Sequence, residues 1–119
     1  MIDAVVITGG EPTLHKELPE VIKQIKELGF KGIKIHPDYQ NTYIDDDKYY
    51  EILKASKDNG LIVATHAGQD SGYMGKPVKC PPERILKLLD RLGGYDKFVL
   101  AHLGGKDFFV EVFSLLAGK

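Results

Sequence analysis

The chain is short of cysteine, of net charge and of long apolar runs, and each shortage removes a class of function. A single cysteine, Cys80, stands among 119 residues. It cannot close an internal disulfide, so a disulfide-stapled scaffold is excluded and a reducing, cytoplasmic setting is expected. Sixteen Lys and Arg against 17 Asp and Glu leave a formal charge of −1. No bulk positive field exists to collect nucleic acid or an anionic membrane, and neither is expected as a partner. No apolar run approaches the ~20 residues that span a bilayer. Met1-Ile2-Asp3 opens without the basic and long apolar regions of a signal peptide. Tryptophan is absent. What is present, 43 % apolar and 28 % charged residues, is the balance of a globular domain with chain enough for one core.

Four short apolar runs read as buried strands: Ala4–Thr8, Gly32–His36, Leu61–His66 and Phe98–His102. Helical patterns lie between and after them. Leu18, Val21, Ile22, Ile25 and Leu28 follow i, i+3, i+4 spacing, with Gly29 placed to end the helix. Tyr49, Ile52 and Leu53 form a second stripe, with Asp45, Asp46 and Asp47 at its N-terminus, where the helix dipole favours negative charge. Ile85, Leu88, Leu89 and Leu92 form a third, opened by Pro81 and Pro82 and closed by Gly93. A fourth runs from about Asp107 to Ala117. Strict strand–helix alternation predicts an α/β fold: four βα units on a parallel sheet with right-handed crossovers, in a single domain over residues 1–119. An open flavodoxin-like sandwich is the alternative.

Side chains alternate faces along a strand. One face collects Val5, Ile7, Ile33, Ile35, Val63, Val99 and Ala101, suited to packing under helices. The other collects Val6, Thr8, Lys34, His36, Ala64, His66, Leu100 and His102. A doubly wound sheet needs both faces apolar, so a mid-strand Lys34 fits better inside a barrel, near its mouth. The chain is too short for a full (β/α)8 barrel, which takes about 200 residues or more. Four units amount to half of one. From Phe108 to Leu116 only Glu111 and Ser114 are polar. A helix apolar nearly all round must be buried on more than one side, and a chain of this size offers little to bury it against, so either a partner covers it or its neighbours are missing.

Three of the four histidines, His36, His66 and His102, end strands. In α/β folds the site lies at the carboxyl ends of parallel strands. Neutral imidazole is the commonest metal ligand and an acid–base group near neutral pH. Three imidazoles on one rim suit a divalent metal, zinc foremost, with one position open for water. Asp70 nearby reads as a turn residue before it reads as a partner of the site.

The segments Gly29-Phe-Lys-Gly-Ile-Lys-Ile-His-Pro-Asp-Tyr-Gln40, Thr65-His-Ala-Gly-Gln-Asp70, Tyr73-Met-Gly-Lys-Pro-Val-Lys-Cys-Pro-Pro-Glu83 and Leu100-Ala-His-Leu-Gly-Gly105 resemble the TIM-barrel branch of the metal-dependent amidohydrolase superfamily. The resemblance runs from about Leu28 to Lys119. It implies that the last three strands correspond to the fourth, fifth and sixth of a barrel. His66 then falls on the fifth-strand metal ligand. His102 falls on the sixth-strand histidine, a ligand in some members and an acid–base residue in others. His36 and Lys34 fall on the fourth strand, where ligand use varies. His66, His102 and His36 are thus expected at the metal, with His102 and Lys34 as the catalytic groups. The implied activity is hydrolysis of an amide, ester or lactone. The family's first-strand HxH pair has no counterpart after Met1-Ile2-Asp3, and neither does the Asp of its eighth strand.

Thr8-Gly-Gly-Glu-Pro-Thr-Leu-His15 resembles a different family, the radical SAM enzymes. There this turn contacts the amino group of S-adenosylmethionine, a role that would pass to Gly9, Gly10 and Glu11. The three-cysteine motif is absent, and Cys80 alone cannot hold an iron–sulfur cluster. A plain strand-to-helix turn is the stronger reading of Gly9–Glu11, S-adenosylmethionine is not the expected cofactor, and His15 reads as a helix-start residue. Two resemblances meeting near Lys26–Phe30 suggest a recombined, engineered or generated chain, in the limit a non-catalytic α/β scaffold. A half-barrel with two open edges predicts a homodimer that closes the sheet, with a small-molecule substrate at the shared mouth.

Overall fold

A computed structural model describes residues 4–6 and 17–119, and over them strand and helix alternate as the sequence pattern requires. In order they are β1 (Ala4–Val6), α1 (Leu18–Glu27), β2 (Gly32–Ile35), α2 (Asp47–Asp58), β3 (Ile62–His66), α3 (Pro82–Leu92), β4 (Phe98–Ala101) and α4 (Gly105–Leu116). Single 3₁₀ turns lie at Ser71–Tyr73 and His102–Gly104. Local chemistry accounts for the boundaries. The Asp46 carboxylate caps α2 by accepting from the Lys48 N–H at 3.0 Å. Pro82 opens α3, where its missing N–H costs nothing, and Gly93 closes it in the left-handed region at φ 68°.

The four strands are parallel and lie in chain order, β1-β2-β3-β4. A doubly wound sandwich reverses strand order at a switch point. This sheet does not, so the barrel-type reading holds over the flavodoxin-like alternative. Ile33, Ile35 and Val63 are buried to 1 % exposure or less beneath Ile22, Ile52, Leu53, Ile85 and Leu88. Each such side chain contributes roughly 1.5–3 kcal/mol by leaving water. The opposite face is more open below the rim: Lys34 is exposed, Ile62 is 43 % exposed and Val99 48 %. A barrel wall that is not closed leaves its inner face open in this way.

Two expectations are corrected. Val99 and Ala101 do not face the helices, and Leu100 does not face the site. In the register Ala64↔Val99 and His66↔Ala101, Val99 and Ala101 share the site face, while Phe98 and Leu100 pack on the core. A one-residue change of phase turns every side chain over. Val21 (42 %) and Leu28 (76 %) lie outside the buried stripe of α1, which is Leu18, Ile22 and Ile25. The apolar helix α4 finds little to bury it in the lone chain, as its composition and the chain's size imply: among its described residues only Val112 is buried, whereas Phe109, Val110 and Phe113 are 48–73 % exposed. No described helix is long and apolar enough to cross a membrane. Ile7, Thr8 and His15 lie outside the described residues.

Candidate metal centre

Parallel pairing sets the site. Because Lys34 stands opposite Ala64 and Ile35 opposite Thr65, His36 and His66 emerge side by side at the carboxyl rim. Their rings stack, with centroids 4.3 Å apart and planes 10° apart. Tyr39 stacks on the far face of His36 at 3.7 Å. The loop leaving β2 is braced by hydrogen bonds: the Gln40 N–H donates to the His36 carbonyl at 3.1 Å, and the Lys79 N–H donates to Asp38 Oδ1 at 3.1 Å. The Gln40 side-chain oxygen accepts from the Tyr49 hydroxyl and, at 3.4 Å, from the His36 N–H. Its Nε2 is buried without a hydrogen-bond partner among the described residues.

The loop leaving β3 brings Asp70 across. Oδ1 accepts from the Gly72 N–H at 2.7 Å and caps the 3₁₀ turn. Oδ2 lies 3.2 Å from His36 Nε2 and 3.8 Å from His66 Nε2. The turn role expected of Asp70 is therefore present, and the second oxygen belongs to the site. The ligand atoms of His36, His66 and Asp70 all lie within 4.8 Å of one another. They edge a cavity of about 700 Å³ that Lys34, Gln40 and His102 also line.

His66 is 8 % exposed, and its Nε2 has no hydrogen-bond partner among the described residues. Burial lowers its pKa below the ordinary 6.5, and the neighbouring His36 and His102 add to this, against the pull of Asp70 and Asp38. The neutral, lone-pair-bearing form is favoured. That is the form a metal takes.

The structure brings His36 and His66 together and stands His102 beside them. His102 is exposed and presents its ring edge-on to His66, 5.3 Å away at 60°. It has left the strand: φ is +64° at His102 and +47° at Leu103. Lys34 is an exposed cation on the cavity wall. Gly9, Gly10 and Glu11 lie outside the described residues. Sequence reasoning gave Gln40 no part, since nothing but its burial marks it. Asp70 had a usable signal, four residues beyond His66 in the loop leaving the same strand end.

A model of the amidohydrolase family matches residues 5–112 in a single span, and the chain belongs to that family. Among curated proteins it is similar to a probable GTP 3',8-cyclase of Saccharolobus islandicus (strain M.16.27), 33 % identical over 66 residues, 56 % of this chain and 20 % of that protein. A probable GTP 3',8-cyclase of Sulfolobus acidocaldarius is 50 % identical over 34 residues, 29 % of this chain and 11 % of the relative. Another, of Saccharolobus solfataricus, is 30 % identical over 66 residues, with 56 % and 20 % covered. The chain spans about a fifth or less of the length of these relatives. Their likeness partly fits the second resemblance, read from Gly9–Glu11. No solved structure matches.

Proposed function

We propose that this chain is a partial amidohydrolase barrel that binds a divalent metal at its strand ends and supports, at most, weak hydrolysis of an amide, ester or lactone. The observation that carries the reading is the meeting of His36 Nε2, His66 Nε2 and Asp70 Oδ2 at one end of a parallel sheet. Imidazole and carboxylate together suit zinc. A buried His66 Nε2 without a hydrogen-bond partner among the described residues is a group such an ion would satisfy. His66 and Asp70 would hold it, with His36 the third group in reach. When bound, the ion supplies Lewis acidity toward water and a carbonyl oxygen.

The remaining roles belong to side chains around the cavity. Gln40 lines the cavity, and its Nε2, without a hydrogen-bond partner among the described residues, is a donor behind the cavity wall. Lys34 offers a positive charge to an anionic end of the substrate, and His102 stands where it can hold or release a proton. The test is zinc retained after dialysis and measured by elemental analysis. Wild type keeps zinc and His66→Ala loses it. Unchanged stoichiometry in the variant would refute the assignment. A wild-type chain that holds no zinc and shows no thermal shift with Zn²⁺ or Mn²⁺ would leave the recombined, non-catalytic scaffold.

A second copy of the chain is the occupant we propose for the open edges. Among the described residues, strands in chain order leave β1 and β4 as the two edges of the sheet, and β4 of one copy would continue the sheet into β1 of another. Beside β4, Val110 and Phe113 of α4 are 73 % and 57 % exposed, an apolar patch of the kind that marks an interface. Light scattering should give a dimer. Val110→Glu should shift it to monomer, and a wild-type monomer at high micromolar concentration overturns the proposal.

A further inference from the structure

The hydrogen bonds around His36 assign it a role different from that of His66. A neutral imidazole carries one N–H donor and one bare acceptor nitrogen, and the partner of one nitrogen decides the other. The Tyr39 backbone N–H points at His36 Nδ1 from 3.4 Å. An amide N–H can only donate, so Nδ1 is the bare nitrogen. The proton is then on Nε2, which faces Asp70 Oδ2 at 3.2 Å. The alternative tautomer sets an Nδ1–H against the Tyr39 N–H, donor against donor.

We propose that His36 is a positioning residue: its Nε2–H donates to Asp70 Oδ2 and aims that carboxylate at His66, and His36 does not itself offer a lone pair to the metal. Asp70 is then held at both oxygens, Oδ1 by the Gly72 N–H and Oδ2 by His36. His36 is held in turn. Tyr39 stacks on its ring, and Gln40 takes its backbone N–H and gives one to its carbonyl. His66 differs in its hydrogen bonding: its Nε2 has no hydrogen-bond partner among the described residues. The trio thus divides into a ligand pair, His66 and Asp70, and the residue that orients the carboxylate. Carboxylate ligands depend on outer hydrogen bonds of this kind.

The step to metal binding rests on the function proposed above, but the tautomer does not, and the two are tested apart. Long-range ¹H–¹⁵N spectra of the metal-free chain should show His36 protonated at Nε2 and bare at Nδ1. A proton on Nδ1 instead overturns the proposal whether or not the chain binds zinc. On titration with Zn²⁺, the His66 ring signals should move while His36 keeps its Nε2–H. His36→Phe keeps the stacked ring and removes the donor, and should weaken zinc binding about 10–100-fold. His36→Gln places an amide N–H near the position of Nε2 and should recover most of that loss. If Gln proves as damaging as Phe, or His36 loses its Nε2 proton as zinc binds, His36 is a ligand and the proposal fails.

Discussion

Gly68 is the place where the β3 rim and the β4 rim touch backbone to backbone, and it makes a quantitative test of how the site is assembled. It lies two residues beyond His66 at φ +84°, with its N–H donating to the Cys80 carbonyl at 3.0 Å. A Cβ built there would stand 2.0 Å from the carbonyl oxygen of Gly104, in the turn that begins at His102. Gly75 is a natural control, with φ +79° and nothing within 4 Å of such a Cβ. The left-handed backbone costs an L-residue about 1–2 kcal/mol at either position. Only Gly68→Ala also forces two backbones apart, a further cost of about 1–3 kcal/mol for an overpacked contact. A chain of this length loses about 4 °C of Tm per kcal/mol. Gly68→Ala should therefore melt roughly 4–12 °C below Gly75→Ala by circular dichroism. The two variants melting within about 2 °C of each other would show that the rims do not approach as described.

Asp45 is buried against Arg84 Nη1 at 2.7 Å and Lys87 Nζ at 3.1 Å. Burial by itself raises its carboxyl pKa, and the hydrogen bonds and charges of Arg84 and Lys87 together outweigh it, so the folded value is lowered from 3.8. A lowered carboxyl stabilises the fold above its unfolded value and loses that contribution as pH falls through the folded one. Asp45→Asn should thus cost about 1–2 kcal/mol at pH 7, with the partly exposed cations discounted for screening. Its deficit against wild type should shrink in acid melts below pH 3.8; a constant deficit contradicts the pairing. Ile85→Ala removes a fully buried side chain of α3 and should cost about 2–5 kcal/mol in urea unfolding. Val110→Ala, 73 % exposed, should stay within about 0.5 kcal/mol at concentrations where the chain is monomeric. Equal losses would mean that the core is elsewhere.

Apolar spacing alone placed each described helix to within a few residues, because a helix declares its buried stripe and its caps locally. Gly93, Asp46 and Pro82 each act within a turn of where they sit. The phase of β4 was not legible for an equally local reason. Phe98-Val-Leu-Ala101 is apolar at every position, so period-2 alternation has nothing to register against. Counting back from His102 assumes that it continues the strand, but its φ of +64° breaks the alternation. The two-sided burial expected of α4 is a matter of what lies beside it, and exposed Phe109, Val110 and Phe113 show only that no described part of this chain covers them.

The sequence by itself determined the alternation of strand and helix, the parallel sheet, and the presence of His36, His66 and His102 at strand ends. These follow from spacing and chain direction within a few residues. Only the tertiary structure decided which of them meet. Sheet register put His36 against His66, and the loop capped by Asp70 turned one carboxylate oxygen inward. A backbone twist at His102 left that ring at the margin. Convergence within a few ångströms is set by pairing between segments some 30 residues apart, which no local pattern encodes.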